Sequence, residues 1–224
     1  MKVAAIIPAY NEGATVEDVV QVALDCHCVD EVIVVDSLST DETAAVAAEA
    51  GARVVPATVA GKGEAMSAGV SATDADVLLF LDGDLIGLRN EHLQRLVREL
   101  EQGADMSCGL FDRGPTLNPI FLKFLPILTG ERAVRRQLFE SLNDEDAHGY
   151  KIEAALNSRC GEVGGRRVAF VCSGLWHMTK EKKYRNPVLG FILKSAMLGT
   201  AAWEYLSYQV RRRKRRRAKA RAGS

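Results

Sequence analysis

Residues 77–85 read VLLFLDGDL. An unbroken apolar run closed by Asp-Gly-Asp reads as a strand buried on both faces and ended by a turn. Asp82 and Asp84 lie one residue apart where that strand runs out. Two like charges at this spacing repel unless water screens them or a cation sits between them. A solvated Asp-Gly turn explains one acid and the glycine; the second acid raises the alternative of a metal site. Hard cations such as Mg2+ and Mn2+ take a few carboxylates together with phosphate oxygens and water, so such a pair suits a metal held against a diphosphate.

The pattern extends in both directions. Val3–Ile7 is an apolar run ended by Pro8, Glu31–Asp36 is β-branched, and Arg53–Pro56 is a third run, which makes Asp76–Leu81 the fourth strand. Helical spacing lies between them. Glu12–Leu24 carries Val16, Val19, Val20, Ala23 and Leu24 with Asn11 as its N-cap; an Ala-rich helix covers Thr40–Ala50, another Lys62–Ala72, and an amphipathic one Glu91–Gln102. Strands apolar throughout and separated by helices predict an α/β, Rossmann-like chain, with a mostly parallel sheet and helices on both faces. Right-handed crossovers put the strand C-termini on one edge, where open α/β sheets bind ligands. PAYNEG, DSLSTDE and LDGDL all fall on that edge. The second half is less regular. A strand is expected over Asp105–Leu110, a Pro-rich loop or lid over Arg113–Pro126, short helices over Thr129–Leu138 and Gly149–Leu156, and a strand over Arg167–Cys172.

At 224 residues and 47% hydrophobic content the chain suits one large soluble domain or two small ones. Its formal charge of zero conceals an asymmetry. Nine basic residues crowd positions 211–221, which leaves 20 Lys and Arg against 29 acids elsewhere. The five cysteines are odd in number and scattered, and Cys26 and Cys28 have no second ligand pair at zinc-site spacing. Reduced thiols are expected rather than a structural zinc. The first apolar run is cut by Pro8, too early for a signal peptide, and no uninterrupted apolar stretch of about 18 residues is present to span a membrane.

On the ligand edge, Pro8-Ala9-Tyr10-Asn11-Glu12 can wall a nucleotide pocket, with Glu12 reading base or ribose and Tyr10 packing nearby; the plain reading is a helix cap with a first-turn acid. Asp36 can accept hydrogen bonds from a ribose or base, while Ser37, Ser39 and Thr40 read as caps of the next helix. Gly61-Lys62-Gly63-Glu64 lacks the full P-loop pattern. Glycines flanking a lysine at a helix start nevertheless let backbone and ammonium approach an anion. A flexible turn with a solvated lysine fits the same spacing. His177, after the last predicted strand, can complete a metal shell as a neutral imidazole or serve as a surface residue.

IIPAYNE, VVDSLSTDET, GKGEAM, FLDGDL and LTGERAVRR, in this order, resemble the GT-A-fold glycosyltransferases of family 2 and its relatives. That group includes glucosyl-3-phosphoglycerate synthases and dolichyl-phosphate mannosyltransferases. The resemblance covers residues 1–185. It implies a metal-dependent hexosyltransferase with a UDP- or GDP-sugar donor, Mg2+ or Mn2+, and a small phosphorylated or polyprenyl-phosphate acceptor. It implies further that Pro8, Ala9, Tyr10, Glu12, Asp36 and Ser37 line the nucleoside site and that Lys62 approaches the donor. Asp82 and Asp84 match the D-x-D motif, and His177 falls where relatives carry a metal-binding histidine. Gly130 and Glu131 match residues near the transferred sugar, and Glu153, in Gly149-Tyr150-Lys151-Ile152-Glu153, an acid facing sugar or acceptor. Glu131, Glu153 and Lys62 are therefore the catalytic expectation, with Asp82 and Gly130 added to the donor set and Asp84, Asp82 and His177 to the metal. A retaining, front-face route is favoured over an inverting one. One departure stands out: Leu38 occupies a position that is glycine in the family pattern, so a tight turn must tolerate a side chain.

The catalytic domain is expected over residues 1–186, a C-terminal helix over 187–210 and a disordered basic tail over 211–224. Apolar residues, Trp203, Tyr205 and Tyr208, and then the basic run suit a membrane-surface helix on anionic lipid; packing on the catalytic domain or on a second subunit, as a homodimer, is the alternative. Nucleic acid is the weaker partner. The expected location is cytoplasmic, with peripheral association at the inner membrane face. Two rivals remain. A nucleotidyltransferase needs a Gly/Arg/Lys-rich triphosphate loop where this chain has PAYNEG, and an inactive nucleotide-sugar-binding scaffold at the membrane need not keep the acids and Lys62.

Overall fold

A computed structural model describes residues 1–112, 114–115, 118, 129–143, 146–149, 151–177 and 210. Its elements in chain order are β1 (Val3–Ala9), α1 (Val16–Leu24), β2 (Glu31–Asp36), α2 (Thr43–Glu49), β3 (Arg53–Pro56), α3 (Lys62–Ser71), β4 (Val77–Phe80), β5 (Leu85–Ile86) and α4 (Asn90–Glu101). There follow β6 (Met106–Phe111), β7 (Arg132–Arg135), α5 (Arg136–Glu140), α6 (Lys151–Glu162), β8 (Arg167–Cys172) and β9 (Trp176–His177). Seven strands form one sheet in the order β3-β2-β1-β4-β7-β6-β8, and β5 pairs with β9 in a two-stranded ribbon. All neighbours in the large sheet are parallel except β7, which runs antiparallel to both β4 and β6.

Period-two alternation in fully apolar strands builds a core on each face of the sheet. Ala5 and Ile7 of β1, Val34 of β2 and Leu79 of β4 join α1 and α4 in one cluster. Ile6, Ile33, Leu78 and Phe80 join Met66 of α3, Phe139 of α5 and Ile152 and Leu156 of α6 in the other. α4 buries Leu93, Leu96, Val97 and Leu100, a helical stripe at i, i+3, i+4 and i+7. Each such leucine contributes about 1.5–3 kcal/mol by leaving water.

The ligand edge is assembled by register. Ala9 is paired with Asp36, and Asp36 with Pro56, so β1, β2 and β3 end side by side. Here the structure corrects two readings of the sequence. Asn11 does not cap α1: its φ is +53°, its Oδ1 accepts from the Thr40 N–H at 2.8 Å, and its own N–H donates to Ser39 Oγ at 2.9 Å. Nor do Ser39 and Thr40 cap α2, which starts three residues later. Their polar atoms tie the loop after β2 to the loop after β1, a role that local helix-cap rules do not foresee. Thr15, the residue before α1, donates its hydroxyl to the Gly83 carbonyl at 2.8 Å, which joins the β1 loop to the turn after β4. Leu38 does adopt the glycine-like conformation expected of it, with φ +62° and its side chain 52% exposed. That backbone costs about 1–2 kcal/mol.

The helix expected over Thr129–Leu138 is instead strand β7 followed by the short α5. Ala133 packs into one core and Val134 into the other, so the run is a strand buried on both sides. Four residues are too few for periodicity to separate the two possibilities. Helix α6 runs on to Glu162, beyond the expected Leu156. Most of the expected 113–126 loop, the 187–210 helix save residue 210, and the basic tail lie outside the described residues. Among the described residues, no helix is long and apolar enough to cross a membrane.

Candidate active site

Five chain segments converge beyond the end of β4: the start of α3, the turn Asp82–Asp84, the bend Thr129–Glu131, the first turn of α6, and the loop after β1. At the centre is Lys62. Its Nζ lies 2.6 Å from Asp82 Oδ1 and 2.7 Å from Glu153 Oε1, with only 16% of the side chain exposed. Burial works against the ammonium, but the two carboxylates outweigh it and hold the Lys62 pKa well above its ordinary value. The structure thus joins three of the expected site residues, Lys62, Asp82 and Glu153, in one ion triad.

Gly130 is required by close approach. A Cβ at this position would run into both carboxylate oxygens of Asp82. The bend before β7 can therefore lie directly against the acid at the end of β4.

Glu131 is fully buried, so it forms the floor of the site instead of its solvent face. The Thr129 hydroxyl donates to its Oε2 at 2.6 Å, while Oε1 has no hydrogen-bond partner among the described residues. Burial, aided by the charge of Asp82, pushes its pKa up to about 8; the Thr129 hydrogen bond and Lys62 oppose the shift. With its folded pKa above the unfolded one, Glu131 adds stability that is complete below about pH 4.5 and is lost as pH rises through about 8. In metal-free protein, the wild type is expected to lose stability relative to Glu131→Gln across that window. The slope is on the order of 1 kcal/mol per pH unit. Chemical denaturation at pH 4.5, 6.5 and 8.5 checks this, and parallel profiles for the two proteins would refute it.

Two contributors were not singled out from sequence. Arg132 is fully buried, and its guanidinium donates to the Thr129 and Glu153 carbonyls and lies 3.8 Å from Glu153 Oε2. Thr129 orients Glu131. The available signal for Arg132 was a charged residue in a run that is otherwise buried, legible only once the run is known to be a strand.

The expected nucleoside residues fall on the adjoining edge. Ala9 is buried at the end of β1, Tyr10 is 54% exposed just beyond it, and the Ser37 N–H donates to the Ala9 carbonyl at 2.8 Å. Asp36 Oδ1 accepts from the Ser39 N–H at 3.3 Å. The Glu12 N–H donates to Thr43 Oγ1 at 2.8 Å, and a Cβ at Gly83 would sit 3.3 Å from Glu12 Cγ. Pro8 is held in register with Val35.

Asp82 and the half-buried Asp84 flank Gly83, and Leu85, the next residue, pairs across the ribbon with His177. Among the described residues, no group of three or more His, Cys, Asp or Glu side chains is gathered into a cation site. The donor set nevertheless fits a hard divalent cation: two carboxylates on one tight turn, with the backbone of a candidate imidazole beside them.

Comparisons with known proteins give the family. Residues 4–146 match the family described as glycosyl transferase family 2. Glucosyl-3-phosphoglycerate synthase of Mycobacterium tuberculosis is 33% identical over 193 residues, covering 69% of this chain and 59% of the relative. The Mycolicibacterium smegmatis counterpart is 44% identical over 94 residues, 38% of this chain and 31% of that one. The chain thus spans less than two thirds of the length of these curated relatives. Among solved structures, the M. tuberculosis synthase with Mn2+, UDP and phosphoglyceric acid aligns at a TM-score of 0.74 and 29% identity, over 92% of this chain and 78% of that one. The same enzyme with Mn2+, UDP and glucosyl-3-phosphoglycerate aligns at 0.71 and 29%, over 92% and 79%.

Proposed function

The chain belongs to glycosyltransferase family 2, and from that premise we propose that it transfers glucose from UDP-glucose to a small phosphorylated acceptor of the phosphoglycerate type. The observation that carries this reading is the Lys62 triad at the edge where β1, β2 and β4 end. The synthase whose structures contain Mn2+ with UDP or UDP-glucose is the natural guide to donor and cofactor.

Asp82, Asp84 and His177 would hold Mn2+ or Mg2+. When bound, the metal supplies positive charge to the leaving diphosphate. The remaining roles belong to the chain itself. Pro8, Ala9, Tyr10, Glu12, Asp36 and Ser37 receive the nucleoside. Lys62, held between Asp82 and Glu153, presents a fixed ammonium where diphosphate charge develops, and such a charge needs no reorganisation during reaction. The two oxygens of Glu153 face Lys62 and Arg132, at 2.7 and 3.8 Å. That arrangement suits a positioned anion that stabilises an oxocarbenium-like sugar better than a base that deprotonates the acceptor. It favours a retaining, front-face route. Incubating the protein with UDP-glucose, GDP-glucose and GDP-mannose, with and without Mn2+, and following nucleoside diphosphate release on adding phosphoglycerate tests the reading. Mn2+-dependent UDP release that requires phosphoglycerate is expected; release with another acceptor only, or none, would reject it.

The basic run at 211–221 favours a second element, peripheral binding to anionic membrane, with lipid phosphate as the alternative acceptor. Deleting residues 211–224 is expected to abolish sedimentation with phosphatidylserine vesicles at low salt. Equal sedimentation of both forms would remove the tail from any membrane role.

A further inference from the structure

The Gly-Lys-Gly-Glu stretch at 61–64 is not a phosphate loop, and the role of Lys62 leaves its two glycines and its acid unexplained. The structure accounts for all three. Glu64, in the first turn of α3, folds back so that a Cβ at Gly61 would collide with its carboxylate. From there Oε2 accepts the Gly149 N–H at 3.1 Å, and Oε1 lies 3.1 Å from His148 Nδ1. A Cβ at Gly63 would run into the Ala147 carbonyl and the backbone of residues 148–149. The two glycines thus clear the space in which 147–149 lies against α3, and Glu64 fastens it there. Two residues further on α6 begins, and Glu153 stands in its first turn.

We propose that Glu64 is a positioning residue, whose carboxylate latches residues 147–149 to α3 and so sets Glu153 against Lys62. The short lever explains why such a latch matters. Lys62 and Glu64 share one helical turn, and Gly149 and Glu153 are four residues apart, so the latch closes a small ring around the 2.7 Å ion pair. A general first-turn acid would stabilise α3 through its dipole without reaching another segment. The consequence for transfer rests on the glycosyltransfer reading above; the latch itself rests on geometry.

Two measurements test it. Glu64→Ala is expected to speed amide hydrogen exchange over residues 147–153 by about tenfold or more, because local opening no longer breaks two hydrogen bonds. Glu64→Gln retains an acceptor oxygen for Gly149 and should stay within roughly threefold of wild type. In the transfer assay Glu64→Ala should lower kcat about tenfold with little change in donor KM. A Glu64→Ala/Glu153→Gln double variant should be no slower than Glu153→Gln alone, since groups acting through one another are not additive. Unchanged exchange in Glu64→Ala, or kinetic losses that multiply in the double variant, would overturn the proposal. Should Glu64→Ala fail to fold, Gly63→Ala, which pushes the segment off α3, must give the same exchange increase or the proposal falls. If the wild type transfers no sugar, the glycosyltransfer reading fails while the exchange comparison still decides the latch.

Discussion

Asp84→Ala is expected to abolish Mn2+-dependent binding of UDP-glucose and to lower turnover by roughly 10²–10³-fold or more. Asp82 is already bound to Lys62 through Oδ1, at 2.6 Å, and backed by Gly130. Asp84 stands in the turn that leads directly into β5, whose partner strand carries His177. Of the two acids on the turn, Asp84 is the one that Lys62 does not engage, and the proposed metal role rests on it. Truncation removes half of the negative charge on the turn but no core packing, since the cores of both sheet faces are built from other residues. Melting in the absence of metal should stay close to wild type. Calorimetric titration with UDP-glucose, with and without Mn2+, provides the measurement. Wild-type affinity in the variant would take Asp84 out of metal binding.

Arg132→Met should be the most destabilising single substitution at the site, at about 3–5 kcal/mol. The guanidinium is fully buried, donates to two carbonyls and supports the Glu153 carboxylate. Methionine keeps much of the aliphatic stem, so the loss reports on the charged head: two carbonyls would be left without their buried donor, and Glu153 would lose one of its two cationic neighbours. For a domain of this size such a loss corresponds to a fall in Tm of roughly 10 °C. Arg132→Lys should rescue little of it, because a single ammonium cannot reproduce the planar fork that reaches several acceptors. Urea denaturation of the three proteins decides the matter, and a cost below about 1 kcal/mol would mean that water or neighbouring groups replace the guanidinium.

Much of the fold was legible because its strands are short, apolar on both faces and separated by helices with clear stripes. Apart from the two-residue β5, which no expected element covers, β1 through α4 fall within a few residues of where the periodicity places them. The errors cluster where polar residues serve distant partners. Asn11, Ser39 and Thr40 look like helix caps, and each spends its hydrogen bonds between loops instead. β7 was hidden for a related reason: its four residues owe their conformation to β4 and β6 on either side, both of which it meets antiparallel. A strand inserted between two others takes its identity from its partners.

The candidate site divides in the same way. Residue types and their order along the chain placed Lys62, Asp82 and Asp84 on one edge of the sheet, and the resemblance to family 2 glycosyltransferases added Gly130, Glu131 and Glu153 to the expected site. Which of them meet was decided only by the folded chain. Lys62 and Glu153 are 91 positions apart in sequence and 2.7 Å apart in space. The burial that raises the Glu131 pKa comes from packing, which no local pattern encodes. By itself the sequence determined an α/β sheet with an acidic edge suited to a metal and a diphosphate. The tertiary structure decided that Lys62 stands between two carboxylates, that Glu131 lies beneath the site and that Glu64 reaches across to another segment. Hydrophobic periodicity is a local property, whereas ion pairing and desolvation depend on which distant segments share a buried space.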